Sequence, residues 1–157
     1  MNLDAMPESQ AKELLRQCCG SSRWVAAMVA RRPFGSRETV LAAADEIWAS
    51  LNGDDWREAF AHHPRIGEQT TNSVAAKEQS GVSGAADDVR QALAKANRDY
   101  EQRFGYIYIV CATGKSAEEM LAIAKGRLQN DPDTELRVAA EEQRKITRLR
   151  LQKLLED

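Results

Sequence analysis

The two histidines of this chain, His62 and His63, are neighbours, and a proline follows them directly in the stretch FAHHPRIGEQ. Proline disfavours helical backbone in the residue before it, so the preceding helix is expected to end here with His63 extended. Neighbouring extended residues point their side chains to opposite sides, so one imidazole faces inward and the other faces water. Imidazole titrates near neutral pH, as a general acid or base requires. His63 is therefore a candidate for proton transfer, with a structural imidazole at a helix end as the alternative, and His62 is interpreted as a surface or helix-end residue.

Two further side chains are candidates to act with His63. Glu78, in AAKEQSG, follows the irregular loop that begins at His63, and a short helix there could fold its carboxylate back over the same cleft. The alternative is a solvated glutamate near a helix end. Arg150 lies beside Ile146 and Leu149, on or next to the buried face of the last helix. A guanidinium there needs an acidic partner, which is either a protein carboxylate or a substrate carboxylate.

The sequence predicts no metal site and no cofactor-binding motif. Adjacent histidines lack the spacing of two ligands on one helix face, and no cysteine or carboxylate cluster completes a set around them. The chain has no Gly-rich phosphate loop, no GxSxG elbow and no CxxC pair. Cys18 and Cys19 are adjacent and Cys111 is distant, which favours reduced thiols over a disulfide framework.

Length and charge restrict the classes of partner. The 157 residues suit one domain, residues 1–157, and the net charge of −2 gives no general attraction to nucleic acid or membrane. The last helix is rich in basic residues but carries acidic ones as well, whereas a nucleic-acid face would be one-sided. No apolar run reaches the length of a membrane span, and the N-terminus lacks the pattern of a signal peptide. The expected location is the cytoplasm.

The elements that must position these residues are helices. Apolar spacing predicts an all-α, single-domain bundle of about eight to ten helices. Several starts carry cap signals: Ser21 or Ser22, the pair Ser116 and Glu119, and Asp131 before a proline. Pro7 is expected in the first turn of the first helix, and Asn52 is expected to end the third.

One segment breaks this pattern. FGYIYIVCATG, residues 104–114, is rich in β-branched and aromatic residues, and propensity alone predicts a buried strand. No other part of the chain offers a strand to pair with it. We therefore interpret it as a buried apolar connection or a distorted helix.

Four separated pieces, in order, resemble the 2-oxo-4-hydroxy-4-carboxy-5-ureidoimidazoline (OHCU) decarboxylases of purine catabolism. They are HHPRIGE, EQSG, RFGYIYIVCATGKSAEEML and RLQNDPDTELRVAAEEQRKITRLRL, and the likeness runs from about Phe34 to Leu155. The resemblance implies an all-helical fold, commonly a homodimer, that uses no metal or organic cofactor. It also implies a carboxy-lyase that converts the small-molecule substrate OHCU to (S)-allantoin during urate degradation.

The resemblance further implies roles for individual residues. His63, Glu78 and Arg150 would be catalytic, and Pro64 would line the substrate. The other substrate-binding positions implied are Ala75, Ala76, Lys77, Glu78 and Gln79, together with the segment Tyr108, Ile109, Val110, Cys111 and Ala112, whose backbone groups would bind the ring.

This chain departs from the family pattern at Ala75, where many relatives carry a serine. The hydrogen bond of that serine is then absent here, or is supplied by Ser73, Ser80 or water. Arg127 and Arg148 are the alternatives to Arg150 as the arginine that reaches the substrate. The rival from another class is a non-catalytic helical interaction module, in which His63 is structural and the last helix is a partner surface. A nucleic-acid binder is the second rival.

Overall fold

A computed structural model describes residues 2–66 and 86–156. These residues form seven helices and no strand, which confirms the all-α prediction, with fewer helices in the described part than the eight to ten expected. The helices are α1 (Glu8–Cys18), α2 (Ser22–Ala30), α3 (Arg37–Ser50), α4 (Gly53–Phe60), α5 (Asp87–Phe104), α6 (Ala117–Arg127) and α7 (Pro132–Leu154). The short helix predicted around Glu78 lies outside the described residues.

The chain divides into two compact units. The first comprises Met1–His62 and Gln143–Asp157, and the second comprises His63–Glu142. In the first unit α2 packs against α1, α3 and α4. Its core includes Trp24, which is fully buried and whose indole N–H donates to the Ala44 carbonyl at 3.2 Å. The one-domain organisation of residues 1–157 stays a prediction.

The helix starts carry the side-chain caps that the sequence predicts. The Ser21 hydroxyl accepts the backbone N–H of Trp24 at 3.2 Å and so begins α2. Ser116 and Glu119 form a reciprocal capping box at the start of α6, with bonds of 3.1 and 3.2 Å. Asp131 caps α7 by accepting a backbone N–H three residues later, at 3.1 Å. Each cap satisfies a donor that the first turn would otherwise leave without a helical partner.

Two predicted boundaries differ from the structure by one position. Pro7 is the residue before α1, not a residue of its first turn, and Glu8 is the first helical residue. Asn52 does not end α3 but begins α4, because its side chain accepts the N–H of Asp55 at 3.1 Å. The side chain of Asp55 accepts the N–H of Asn52 in return, at 3.4 Å. A reciprocal cap satisfies two donors at once, which favours Asn52 as a start signal.

In the second unit α5 packs against α6 around a hydrophobic cluster that also contains the connection between them. Gly105, with a left-handed φ of 84°, ends α5 and turns the chain into this connection. The buried members of the cluster are Ile66, Leu93, Ala96, Tyr100, Tyr108, Val110, Ala112, Ala117, Met120 and Ala124. None of the helices described above is long and apolar enough to cross a membrane.

Candidate active site

Helix α4 ends before His63, as the proline at position 64 predicts. The helix ends at Phe60, and one more turn follows in which the N–H of His62 donates to the Ala59 carbonyl at 3.1 Å. His63 and Pro64 are then half-buried and lie outside any helix. The expected end of the helix before Pro64 is therefore confirmed, whereas the extended backbone of His63 stays a prediction.

His62 belongs to the first unit and lies against Gly20. A Cβ at Gly20 would stand 2.3 Å from Cγ and 2.6 Å from Cβ of His62, so only glycine allows this approach. Hydrogen bonds from Ser22 lower the pKa of Glu58, and the nearby charge of His62 lowers it further. The His62 side chain is exposed and has packing and charge partners within its own unit. These contacts agree with the structural interpretation of His62.

We expect Gly20→Ala to destabilise the protein by about 1–3 kcal/mol, the usual cost of an overpacked contact. The clash involves Cβ and Cγ of His62, which a rotation of the imidazole alone does not move away. Urea unfolding of the single variants and of Gly20→Ala with His62→Gly, which removes both clashing atoms, measures the coupling. The same cost for Gly20→Ala in the wild-type and in the His62→Gly background would contradict this contact.

The segment Tyr108–Ala112 is buried along its whole length and is neither helix nor strand. Side chains make the hydrogen bonds to this backbone that a neighbouring strand would make in a sheet. The Ile109 carbonyl accepts from Nη1 of Arg127 at 2.5 Å, and the N–H of Cys111 donates to Oε1 of Glu142 at 3.0 Å. Nζ of Lys115 donates to the Cys111 carbonyl at 2.8 Å. Buried backbone groups need such partners, which explains how a strand-like sequence is stable without a sheet. The interpretation as a buried connection is confirmed.

A buried ion pair anchors this segment. Nε and Nη2 of Arg127 donate to the same oxygen of Glu135, Oε2, at 2.8 and 2.5 Å. The Tyr100 hydroxyl also donates to Oε2, and the amide of Asn130 donates to Oε1 at 3.0 Å. Glu135 is fully buried and Arg127 is 7% exposed. The guanidinium thus connects the carboxylate to the Ile109 carbonyl.

Burial sets the protonation states around this ion pair. It raises the pKa of Tyr100 and of Tyr108 far above the usual value, so both hydroxyls stay protonated donors. Burial by itself lowers the pKa of Arg127, but the hydrogen bonds and charge of Glu135 outweigh it, so that the pKa is raised overall. Arg127 therefore remains a cation.

Sequence reasoning missed the acidic members of this arrangement. By sequence alone, Glu135 and Glu142 are among the acidic residues that balance the basic ones of α7, yet both are buried. Their spacing of seven places them on one helix face with the buried Ala139 between them. Carboxylates on an apolar stripe are the signal that could have identified them, because buried carboxylates require partners.

Ile66 connects the histidine segment to the buried segment. It lies three residues after His63 and is 7% exposed. It belongs to the same hydrophobic cluster as Tyr108, Val110 and Ala112. The structure therefore brings together, within the second unit, two of the stretches in which site residues were predicted.

Arg150 belongs to the first unit, near the end of α7, and is half-buried. Its Nη1 donates to the Gln17 carbonyl at 3.2 Å. Of its two apolar neighbours, Ile146 is buried and Leu149 is 37% exposed, so Arg150 lies beside the buried face of α7 as expected. The alternative Arg148 contacts a protein carboxylate, Asp45, at 3.3 Å. Arg127, as described above, is paired with Glu135.

Cys18, Cys19 and Cys111, all among the described residues, are buried and form no disulfide. Burial raises the pKa of Cys19 to about 12, against smaller opposing effects from Ser21, Thr147 and Arg150. A thiol with this pKa is neutral at physiological pH, and a neutral thiol is a poor nucleophile. Cys19 is therefore a packing residue.

Several predicted site residues lie outside the described part of the chain: Ala75, Ala76, Lys77, Glu78 and Gln79, with Ser73 and Ser80. Within residues 2–66 and 86–156, no group of three or more His, Cys, Asp or Glu side chains could hold a metal ion. The expectation that the protein uses no metal and no cofactor stays a prediction.

Comparisons with known proteins agree on one family. A family model described as OHCU decarboxylase matches residues 4–152. The uric acid degradation bifunctional protein TTL of Arabidopsis thaliana is 37% identical over 148 residues, which are 89% of this chain and 46% of that protein. The 2-oxo-4-hydroxy-4-carboxy-5-ureidoimidazoline decarboxylase of Amia calva is 31% identical over 140 residues, which are 83% of this chain and 79% of that protein. The chain thus spans less than half the length of the Arabidopsis relative.

A solved structure extends the likeness to the fold. The crystal structure of an OHCU decarboxylase in the presence of (S)-allantoin superimposes with a TM-score of 0.84 at 37% sequence identity. The match covers 93% of this chain and 99% of that one.

Proposed function

The chain belongs to the OHCU decarboxylase family, and we propose that it converts 2-oxo-4-hydroxy-4-carboxy-5-ureidoimidazoline to (S)-allantoin in urate degradation. The observation that supports this most is the shared hydrophobic cluster of Ile66 and the segment Tyr108–Ala112. This cluster joins the two described stretches in which the family's site residues are expected. The chain also matches a solved OHCU decarboxylase structure along nearly its whole length.

The substrate has the chemistry for cofactor-independent decarboxylation. When CO2 leaves the carbon that bears the hydroxyl, the electron pair of the broken bond enters the ring and the adjacent imine. This imine is an electron sink within the substrate, so neither pyridoxal nor thiamine is required. The protein then has to orient the ring, stabilise developing negative charge and direct a proton to one face of the planar intermediate.

The proposed roles follow the residue types. His63 delivers the proton, since an imidazole at neutral pH exchanges protons readily. Glu78 and Gln79 align the ring and the ureido group, with Ala75, Ala76 and Lys77 beside them. Arg150 supports the anionic charge as a preorganised donor.

Pro64 and the backbone of Tyr108–Ala112 would complete the proposed binding site. The protein partners of Ile109 and Cys111 hold this backbone in place before any substrate arrives. A segment that is already ordered binds a planar ring without losing further conformational freedom.

The wider organisation is also proposed. The family match from residue 4 to residue 152 includes most of both compact units, which supports one functional domain. We propose a homodimer in the cytoplasm that uses no metal or organic cofactor and binds neither nucleic acid nor membrane.

The proposed function predicts that the purified chain produces (S)-allantoin from freshly generated OHCU faster than spontaneous decay. Circular dichroism measures this directly, because the enzymatic product is one enantiomer and the spontaneous product is racemic. Buffer alone and heat-denatured protein are the controls. Racemic allantoin formed at the spontaneous rate would contradict the proposal and favour the helical interaction module.

A further inference from the structure

The segment that carries His63 is tied to α5 at two points. The guanidinium of Arg65 makes a two-bond contact with Glu101, with Nε to Oε2 and Nη2 to Oε1 both at 2.8 Å. One residue further on, the side-chain amide of Asn97 donates to the Ile66 carbonyl at 2.7 Å. Asn97 and Glu101 are four residues apart and therefore lie on the same face of α5.

These two ties differ in burial and act on different parts of the segment. Asn97 is 5% exposed, so its bond to the Ile66 carbonyl is made in the interior. The Glu101 side chain is 25% exposed and holds the Arg65 side chain near the surface. Two parallel N–H to carboxylate bonds fix the orientation of a guanidinium as well as its position.

The backbone between these two contacts and the imidazole of His63 has little conformational freedom. Between His63 and Arg65 stands Pro64 alone, whose ring holds its φ near one value. The Ile66 side chain is packed in the hydrophobic cluster beside Leu93 and Ala96 of α5. A change in how α5 holds Arg65 or Ile66 is therefore transmitted to the backbone of His63.

We propose that Asn97 and Glu101 are positioning residues for His63, an inference that rests on the proposed role of His63 in decarboxylation. They hold the backbone from which the imidazole extends, so that its nitrogen meets the substrate in one orientation. Neither residue needs to touch the substrate. The expected effect of losing them is therefore on the chemical step and not on substrate binding.

The chain offers a matched control on the same helix. Asp99 forms an ion pair with Lys95 at 2.7 Å, and both residues belong to α5. Asp99→Asn removes one carboxylate and one ion pair from α5, as Glu101→Gln does, but its partner Lys95 lies within the helix and not on the His63 segment. A general effect of lost charge on α5 would appear in both variants.

We expect Glu101→Gln to lower kcat between about tenfold and 100-fold with little change in KM, since displacements of about 1 Å cost rates of this order. Asp99→Asn should leave both constants unchanged. Exchanging the two charges, Arg65→Glu together with Glu101→Arg, should recover most of the kcat that Glu101→Arg alone loses. A structural role without positioning would lower the amount of folded enzyme and not its kcat per active site.

A second measurement does not depend on activity. The chain has only two histidines, so its NMR spectra contain one Cε1–Hε1 signal from each imidazole, and His62→Ala assigns the two. Glu101→Gln and Asn97→Ala should shift the His63 signal and leave the His62 signal in place. If Asn97→Ala does not fold, Glu101→Gln alone carries the test, because Glu101 is partly exposed.

The outcomes separate the two proposals. An unmoved His63 signal in Glu101→Gln, or a kcat equal to that of Asp99→Asn, would overturn the positioning role. Wild-type protein without activity would overturn the proposed function, whereas the NMR comparison would still test whether α5 sets the environment of His63.

Discussion

Replacing His63 by alanine or glutamine is expected to lower kcat for OHCU at least about 100-fold, whereas His62→Ala should leave most of the activity. Proton transfer by a positioned side chain contributes about 10²–10⁴-fold to a rate, and neither alanine nor glutamine exchanges protons near neutral pH. Formation of (S)-allantoin, followed by circular dichroism on fresh substrate, measures the effect.

His62→Ala is the matched control for this experiment, since it removes the other imidazole one residue away. His62 has its contacts in the first unit, with Gly20 and near Glu58, so its loss changes packing there and not the proposed chemistry. Far-ultraviolet dichroism must show that each variant is folded. A folded His63→Gln protein with near-normal turnover would show that the proposed mechanism is wrong.

Replacing Arg127 by methionine is expected to reduce the free energy of unfolding by about 3–5 kcal/mol, because it leaves a buried carboxylate without its cation. Glu135 is fully buried and would keep only the neutral donors Tyr100 and Asn130 of the partners described above. The same variant removes the donor to the Ile109 carbonyl within the proposed substrate-binding segment. Urea unfolding measures the loss, and the slope of the transition should stay unchanged.

Two controls separate the buried charge from charge loss in general. Arg31→Met breaks a two-bond contact with Glu46 at the protein surface and should barely move the unfolding midpoint. Arg127→Met combined with Glu135→Leu removes both charges and should regain part of the stability, because no unpaired ion remains. An Arg127→Met protein as stable as Arg31→Met would contradict the structural role of the ion pair.

Local features of the fold could be predicted from the sequence because the interactions that produce them are local. Ser21, Ser116 and Asp131 begin helices by accepting N–H groups that lie three residues later. Pro64 acts on the residue directly before it. The absence of a second strand-like stretch was sufficient to predict that residues 104–114 are not part of a sheet, since a strand needs a partner.

The candidate site could be predicted only in part. The likeness to one family proposes His63, Pro64 and the segment Tyr108–Ala112 as site residues, and the structure places residues of that segment in one hydrophobic cluster with Ile66. The ties from Asn97 and Glu101 were not predicted. They join residues 31 and 36 positions apart in the chain, and a local sequence pattern does not predict contacts between residues so far apart.

By itself the sequence determined the helical class, the caps, the end of α4 before Pro64 and the family. Only the tertiary structure decided that Glu135 and Glu142 are buried partners of Arg127 and Cys111, and that Leu149 is partly exposed. The physical reason is that a cap or a proline acts within one turn of the chain. Whether a charge is solvated or buried depends on distant residues that pack around it, and that arrangement exists only in the folded protein.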